Sequence, residues 1–176
     1  MNLIRDILKC LMWGLVMLAA LSACTGLPDG VEPVTDFDKS RYLGKWHEVA
    51  RLDHSFERDL VDVTAEYSLR EDGAVRVLNS GTDVESGERK RAEGHAKFVG
   101  AETTAHLKVS FFGPFYGSYI VFELDPDYQY AFVAGYNTDY LWLLAREPGI
   151  SDELRGKFVS HAQSLGFETD DLIWLH

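Results

Sequence analysis

The sequence predicts an all-β fold: an eight-stranded antiparallel up-and-down barrel, one C-terminal α-helix and a short final strand. Three observations carry this reading. Short segments alternate apolar and polar residues with period two, turn residues separate them at steady intervals, and only one stretch has helical periodicity. Eight such strands can close into a barrel whose interior holds one small ligand. The length of 176 residues suits one domain, and 46% apolar with 12% aromatic residues is ample for a core plus a lined cavity.

Gly44 to Leu52 supplies the first strand. Val61 to Arg70 is the clearest: Val61, Val63, Ala65, Tyr67 and Leu69 lie on one face, and Asp62, Thr64, Glu66, Ser68 and Arg70 on the other. Asp72-Gly73 then predicts a two-residue hairpin turn of type I′, with Ala74 to Ser80 returning. Gly87 to Val99 places Ala92, Gly94, Ala96 and Phe98 opposite a charged face. In the next strand Leu107, Val109 and Phe111 alternate with His106, Lys108 and Ser110. Ser118 to Leu124 is almost wholly apolar, and Asp125-Pro126-Asp127 turns the chain. Gln129 to Tyr136 and Tyr140 to Arg146 flank a turn at Asn137-Thr138-Asp139. Ser151 caps a helix whose stripe is Leu154, Phe158 and Ala162, and Gly166 ends it. Phe167 to Leu175 reads as the final strand.

The first residues read as an address. Arg5 and Lys9 precede an apolar run from Cys10 to Leu21, too short for a membrane span at about 20 residues but suited to a secretory signal. Leu21-Ser22-Ala23-Cys24 resembles a bacterial lipoprotein cleavage site, which implies removal of residues 1–23 and lipidation of Cys24. Thr25 after it, in place of an aspartate, implies sorting to the outer membrane by the same resemblance. Several acyl chains on one residue make a stable anchor where a single chain does not. Residues 24–35, with two prolines and two glycines, read as a tether to a domain over 36–176. Cys10 and Cys24 are the only cysteines, so the domain has neither an internal disulfide nor a thiolate metal site. The net charge of -11 repels nucleic acid and gives no electrostatic hold on anionic headgroups.

Gly44-Lys45-Trp46 at the start of the first strand, Asn137-Thr138-Asp139-Tyr140 in the turn before the eighth, and Arg146 at its end are similar to the three motifs of the lipocalin family. Arg41 to Arg51, Lys108 to Gly117 and Asp139 to Trp142 resemble its bacterial branch, the outer-membrane lipoprotein type, whose animal relative is apolipoprotein D. The likeness spans about Asp36 to Trp174. It implies that Gly44, Trp46 and Arg146 are structural, with Arg146 packed over Trp46 at the closed end in a cation–π contact of about 1–2 kcal/mol. It also implies a binding protein without catalysis, whose ligands are fatty acids or lysophospholipids stored or carried in the cell envelope.

Strand direction then locates the mouth at the loops Asp53 to Leu60, Asp83 to Glu88, Gly113 to Gly117 and Asn137 to Asp139. If Arg146 reaches Trp46 inside, Trp142 also points inward, with Tyr140 on the same face. The resemblance to the apolipoprotein D branch supports Tyr67 and Trp142 as ligand contacts. Parity alone adds Phe98, Val109, Phe111 and Tyr119. Glu48 shares the face of Trp46, where it would bind a ligand hydroxyl or water, or pair with a group lining the base. Phe112, Phe115 and Tyr116 crowd the mouth and suit a lid, a membrane-facing tip or self-association as a homodimer. The histidines show no metal-ligand spacing, and no cofactor motif or nucleophile pattern is present. Three alternatives stay open: an enzyme of the same fold using Glu48 with Tyr67, a haem binder through His54, and a protein-partner module.

Overall fold

The computed structural model describes residues 25–175. The reading of residues 1–23 as a signal, and of Cys24 as a lipidated residue, lies outside the described residues. A four-residue helix α1 (Lys39–Tyr42) precedes eight strands: β1 (Gly44–Arg51), β2 (Leu60–Leu69), β3 (Val75–Asp83), β4 (Arg89–Phe98), β5 (His106–Phe112), β6 (Phe115–Leu124), β7 (Tyr130–Ala134) and β8 (Leu141–Ala145). Helix α2 (Asp152–Ser164) and strand β9 (Ile173–Trp174) follow.

From β1 to β8 each strand pairs antiparallel with the next, and β1 also pairs with β8, which closes the barrel. The predicted eight-stranded barrel is therefore observed. Strand β9 pairs with Ala50 and Arg51 at the end of β1, beyond the stretch that β2 covers. Closure removes the edges that an open sheet would expose.

Two apolar clusters divide along strand parity. The inner one joins Trp46, Tyr67, Val77, Ala96, Leu107, Val133 and Leu144 across the barrel. The outer one joins Val49, Ile120, Phe132, Leu141 and Leu143 to Phe158 and Ala162 of α2. Helix α2 thus covers the wall made by β1 and β6–β8, whose strands are apolar on both faces. That is why Ser118 to Leu124 shows no alternation. Ser151 Oγ accepts from Leu154 N, and Asp152 and Glu153 occupy the positive first turn, as the sequence predicts.

The structure corrects three local expectations. The hairpin after β2 is not type I′: Gly73 alone has positive φ, Arg70 N donates to Ala74 O and Gly73 N to Arg70 O. The loop therefore has three residues, Glu71 to Gly73, with Asp72 Oδ1 accepting from Ala74 N, so only the glycine needs a left-handed conformation. The final strand is only Ile173–Trp174, because Phe167 packs into the helix-covered cluster and a 3-10 turn (Thr169–Asp171) intervenes. Helix α1 was not anticipated. It is one turn, capped by Asp38 Oδ1 on Ser40 N, too short to show periodicity.

The segment from Thr25 to Thr35 has no regular structure, yet it is laid on the barrel wall. Pro28 and Val31 are buried, and Val34 bridges β6 and the β4–β5 loop through Val34 N to Val121 O and Ala105 N to Val34 O, both 2.9 Å.

Candidate functional site

The closed end is built around Trp46, which is fully buried. The Arg146 guanidinium lies 3.9 Å from the Trp46 ring centroid, as the motif predicts. Its nitrogens donate to three backbone carbonyls: Arg41 O at 2.8 Å, Lys45 O at 2.9 Å and Tyr128 O at 3.2 Å. Trp46 Nε1 donates to Tyr42 O at 2.8 Å, which ties α1 across the barrel floor. Gly44 has φ of 95°, and a Cβ there would lie 3.4 Å from Arg146 Nη1. A side chain at Gly44 would be strained by the backbone and pressed on the clamp.

Above this floor lies an apolar cavity lined by Phe37, Tyr42, Tyr67, Phe98, Leu107, Val109 and Tyr119, among others. Four of the predicted contacts, Tyr67, Phe98, Val109 and Tyr119, meet there. Its unfilled volume is about 20 Å³, room for about one water, and its walls are apolar. Ligand pockets for small molecules usually enclose ~300–1,000 Å³. A ligand larger than a water therefore enters only if the lining side chains move aside. Phe37 and Tyr42, from α1 and the segment just before it, were missed by sequence reasoning, because they lie outside any strand pattern.

Three tyrosine hydroxyls form a chain beside this cavity: Tyr119 Oη is 2.7 Å from Tyr42 Oη and 2.8 Å from Tyr67 Oη. Burial raises the pKa of all three, so they stay neutral. Three hydroxyls carry three protons and their two mutual bonds use two, leaving one donor for an acceptor brought by a ligand.

The mouth-side half is polar at one point. A bulge between Glu48 and Ala50 turns Val49 and Ala50 outward and Arg51 inward. Arg51 Nη1 donates to Glu48 Oε1 at 2.8 Å, and Nη2 donates to Glu57 O and Leu60 O, stitching the β1–β2 loop over the barrel. Glu48 therefore pairs with Arg51 on its own strand, not with a group lining the base. Strict alternation conceals this, because a bulge reverses parity. Glu57 folds inward too and accepts from Trp142 Nε1 at 3.2 Å. Burial raises the pKa of both Glu48 and Glu57, and the neighbouring Glu57 carboxyl raises that of Glu48 further. Two buried acids facing one arginine hold a proton to higher pH than exposed carboxyls do.

His54 stacks on Phe56 with centroids 4.2 Å apart and lies 4.9 Å from Trp142. Both of its ring nitrogens are buried, with Nε2 3.4 Å from Glu57 Oε2, and burial first, then the Arg51 charge, lowers its pKa to about 4. Tyr140 stacks against His54 and Trp142 at the mouth, and Phe111 packs on the inner cluster. Trp142 and Phe111 share the interior with the cavity without lining its unfilled part, and Tyr140 stands apart from it. Of the three aromatics expected to crowd the mouth, Phe112 and Phe115 stand exposed, but Tyr116 turns to the outer wall, with Oη 2.8 Å from His95 Nε2.

Comparison with known proteins agrees with this geometry. The model of a lipocalin-like domain matches residues 37–176. The chain is 57% identical over 156 residues to outer membrane lipoprotein Blc of Vibrio cholerae serotype O1, covering 88% of this chain and 91% of that protein. It is 51% identical to the protein of the same name from Escherichia coli K12, with 84% of each chain covered. Apolipoprotein D of Macaca fascicularis is 32% identical over 79% of this chain and 82% of its own. Among solved structures, insecticyanin from the tobacco hornworm superposes with a TM-score of 0.67 at 23% identity, covering 86% of each chain, a likeness of fold.

Proposed function

Since the chain belongs to the lipocalin family, we propose that it carries acyl-chain lipids, fatty acids or lysophospholipids, in its barrel while held at the outer membrane by lipid on Cys24. As a lipocalin it binds apolar ligands, and like its Blc relatives it is a lipid-anchored protein of the outer membrane. The finer reading concerns the ligand, the anchoring residue and the residues that touch the ligand. The observation that carries it is the apolar cavity with one spare tyrosine hydroxyl: a hydrocarbon chain suits the walls, and a carboxylate or ester oxygen suits the donor. Tyr67, Phe98, Val109 and Tyr119 are assigned to the ligand's inner part, and Phe111, Trp142 and Tyr140 to its passage toward the mouth.

Burying about 16 methylenes at ~0.8 kcal/mol each gives a gross gain of about 13 kcal/mol. Ordering the chain and displacing the lining side chains consume part of it, leaving a dissociation constant of about 1 μM. One feature supports a role in binding without catalysis: Glu48, the acid nearest a catalytic role, is held by Arg51 at 2.8 Å.

Titrating delipidated protein with palmitate and with a lysophospholipid, followed by calorimetry, tests the proposal. Binding at about micromolar strength, weakened at least tenfold by Val109→Phe with an unchanged circular dichroism spectrum, is expected. Absence of binding, or affinity indifferent to Val109→Phe, would overturn the assignment.

A further inference from the structure

We infer that the β1–β2 loop is a gate over the barrel mouth, latched by a proton shared between the carboxyls of Glu48 and Glu57, and that loss of this proton at rising pH opens the way to the cavity. The gate's purpose rests on the reading of the barrel as a lipid carrier. The latch itself does not.

The loop is held by two inward hooks. Of residues 53–59 only His54 and Glu57 are buried, while Phe56 and Arg58 on either side of Glu57 stand in solvent. The Glu57 carboxyl accepts from Trp142 Nε1 of β8 at 3.2 Å and lies 3.4 Å from His54 Nε2 of its own loop. It is also within hydrogen-bond reach of the Glu48 carboxyl on β1. The ring of His54 packs on Trp142 and Tyr140, with centroids 4.9 and 5.9 Å away. Trp142 and Tyr140 are the residues assigned above to lipid passage, so both hooks sit on that passage. The other end gives no way round, because α1 and the Arg146–Trp46 clamp close the floor. A lipid therefore reaches the cavity past this loop, which must lift first.

A carboxylate carries no hydrogen to donate, so two carboxyls hydrogen-bond only with a proton between them. Among the described residues Arg51 is the cation in contact with the pair, and its Nη1 already donates to Glu48 Oε1 at 2.8 Å. The other titratable groups nearby add no positive charge at neutral pH. His54 is neutral above about pH 4, and Tyr67 of β2, which faces both carboxyls, keeps its proton. Asp53 and Arg58 pair with each other on the exposed side of the loop. Losing the shared proton leaves two buried carboxylates in contact, with a single guanidinium between them. Glu48 cannot leave, since its strand is paired through Leu144. Glu57 lies between exposed residues, and a turn of the loop carries it to water and lifts His54 off Trp142. The gate is thus closed at low pH and opens as the pair ionises.

The test uses the full chain, processed in cells and held in phosphatidylcholine nanodiscs, at pH 5 and pH 9. Hydrogen exchange of residues 53–59, corrected for the chemical rate at each pH, reads the latch. The rate of tryptophan quenching by a lysophosphatidylcholine with a brominated acyl chain, whose charge is constant over this range, reads entry. Protection of the loop is expected to fall at least tenfold from pH 5 to pH 9, and entry to quicken at least fivefold. In Glu57→Gln, whose amide donates to Glu48 as the shared proton does, both are expected to stay at their pH 5 values at either pH. Glu48→Gln removes the same pair from the strand side and is expected to behave alike, which keeps the test sharp if one variant fails to fold. His54→Phe is expected to keep the response. Loop protection that ignores pH, or a response that survives in both glutamine variants, would overturn the latch. A response lost in His54→Phe would assign it to the wrong group and overturn it too. A loop that opens as expected over a barrel the quencher never enters would overturn the lipid reading and the gate, leaving only the latch.

Discussion

Replacing Arg146 by methionine removes the clamp at the closed end while keeping much of the side chain's apolar length. Three hydrogen bonds to Arg41 O, Lys45 O and Tyr128 O disappear, together with the guanidinium over Trp46. Hydrogen bonds to a charged donor are each worth ~1.5–3 kcal/mol, but Arg146 is half-buried and water can reach part of the vacated space, so about 1 kcal/mol each is the reasonable figure. The cation–π contact adds about 1 kcal/mol. The expected loss is therefore about 4 kcal/mol, or about 8–16 °C in Tm for a domain of this size. Urea denaturation of delipidated protein, followed by circular dichroism, measures it. Arg146→Lys keeps a charge near the ring but not the fork that spans three carbonyls, and should lose about half as much. A loss below 1 kcal/mol for Arg146→Met would show that the floor is held by packing around Trp46 alone.

Three further outcomes follow from the mouth-side cluster. The pKa of His54, lowered to about 4 from an ordinary 6.5, means the folded state resists protonation. Its contribution is fully present above pH 6.5 and is lost as the pH falls to 4, about 3 kcal/mol in all. His54→Phe, which keeps the stacked ring, should remove that acid loss; stability curves from pH 7 to 4 parallel to those of the unsubstituted protein would contradict this. The raised pKa of Glu48 acts in the opposite sense: the folded state holds a proton that the unfolded chain has released, so stability falls as pH rises above about 4.5. Glu48→Gln should flatten that fall and gain stability at pH 8 relative to pH 5 in urea titrations. Trp142→Phe keeps the stacked ring but deprives the Glu57 carboxylate of a donor, for a loss of about 1–2 kcal/mol with lipid affinity retained within threefold, measured by denaturation and calorimetry.

The barrel was legible because period-two alternation survives in β2, β4 and β5, whose outer faces meet water. The clamp was legible because Gly44, Trp46 and Arg146 sit at the ends of the right strands. The inward faces of Tyr67, Phe98, Val109 and Tyr119 followed from the same alternation. What escaped was whatever broke the register or lay outside it. The bulge after Glu48 turned Arg51 inward, and no local signal marks it. Glu57 and Phe37 come from irregular segments, where side-chain direction depends on tertiary contacts. Phe112, Phe115 and Tyr116 read alike as mouth aromatics in the sequence, whereas one strand position is enough to send the Tyr116 hydroxyl to His95 on the outer wall. The near-closure of the cavity was equally invisible, since it depends on rotamers and not on residue type.

The central claim is that the barrel holds acyl-chain lipid. Native mass spectrometry of protein purified gently from its own membranes, with lipid identification in a parallel extract, tests it most directly. The account predicts one fatty acid or lysophospholipid per barrel, retained by the unsubstituted protein and depleted in Val109→Phe. Protein that is empty as isolated and stays empty after incubation with both lipids would contradict it.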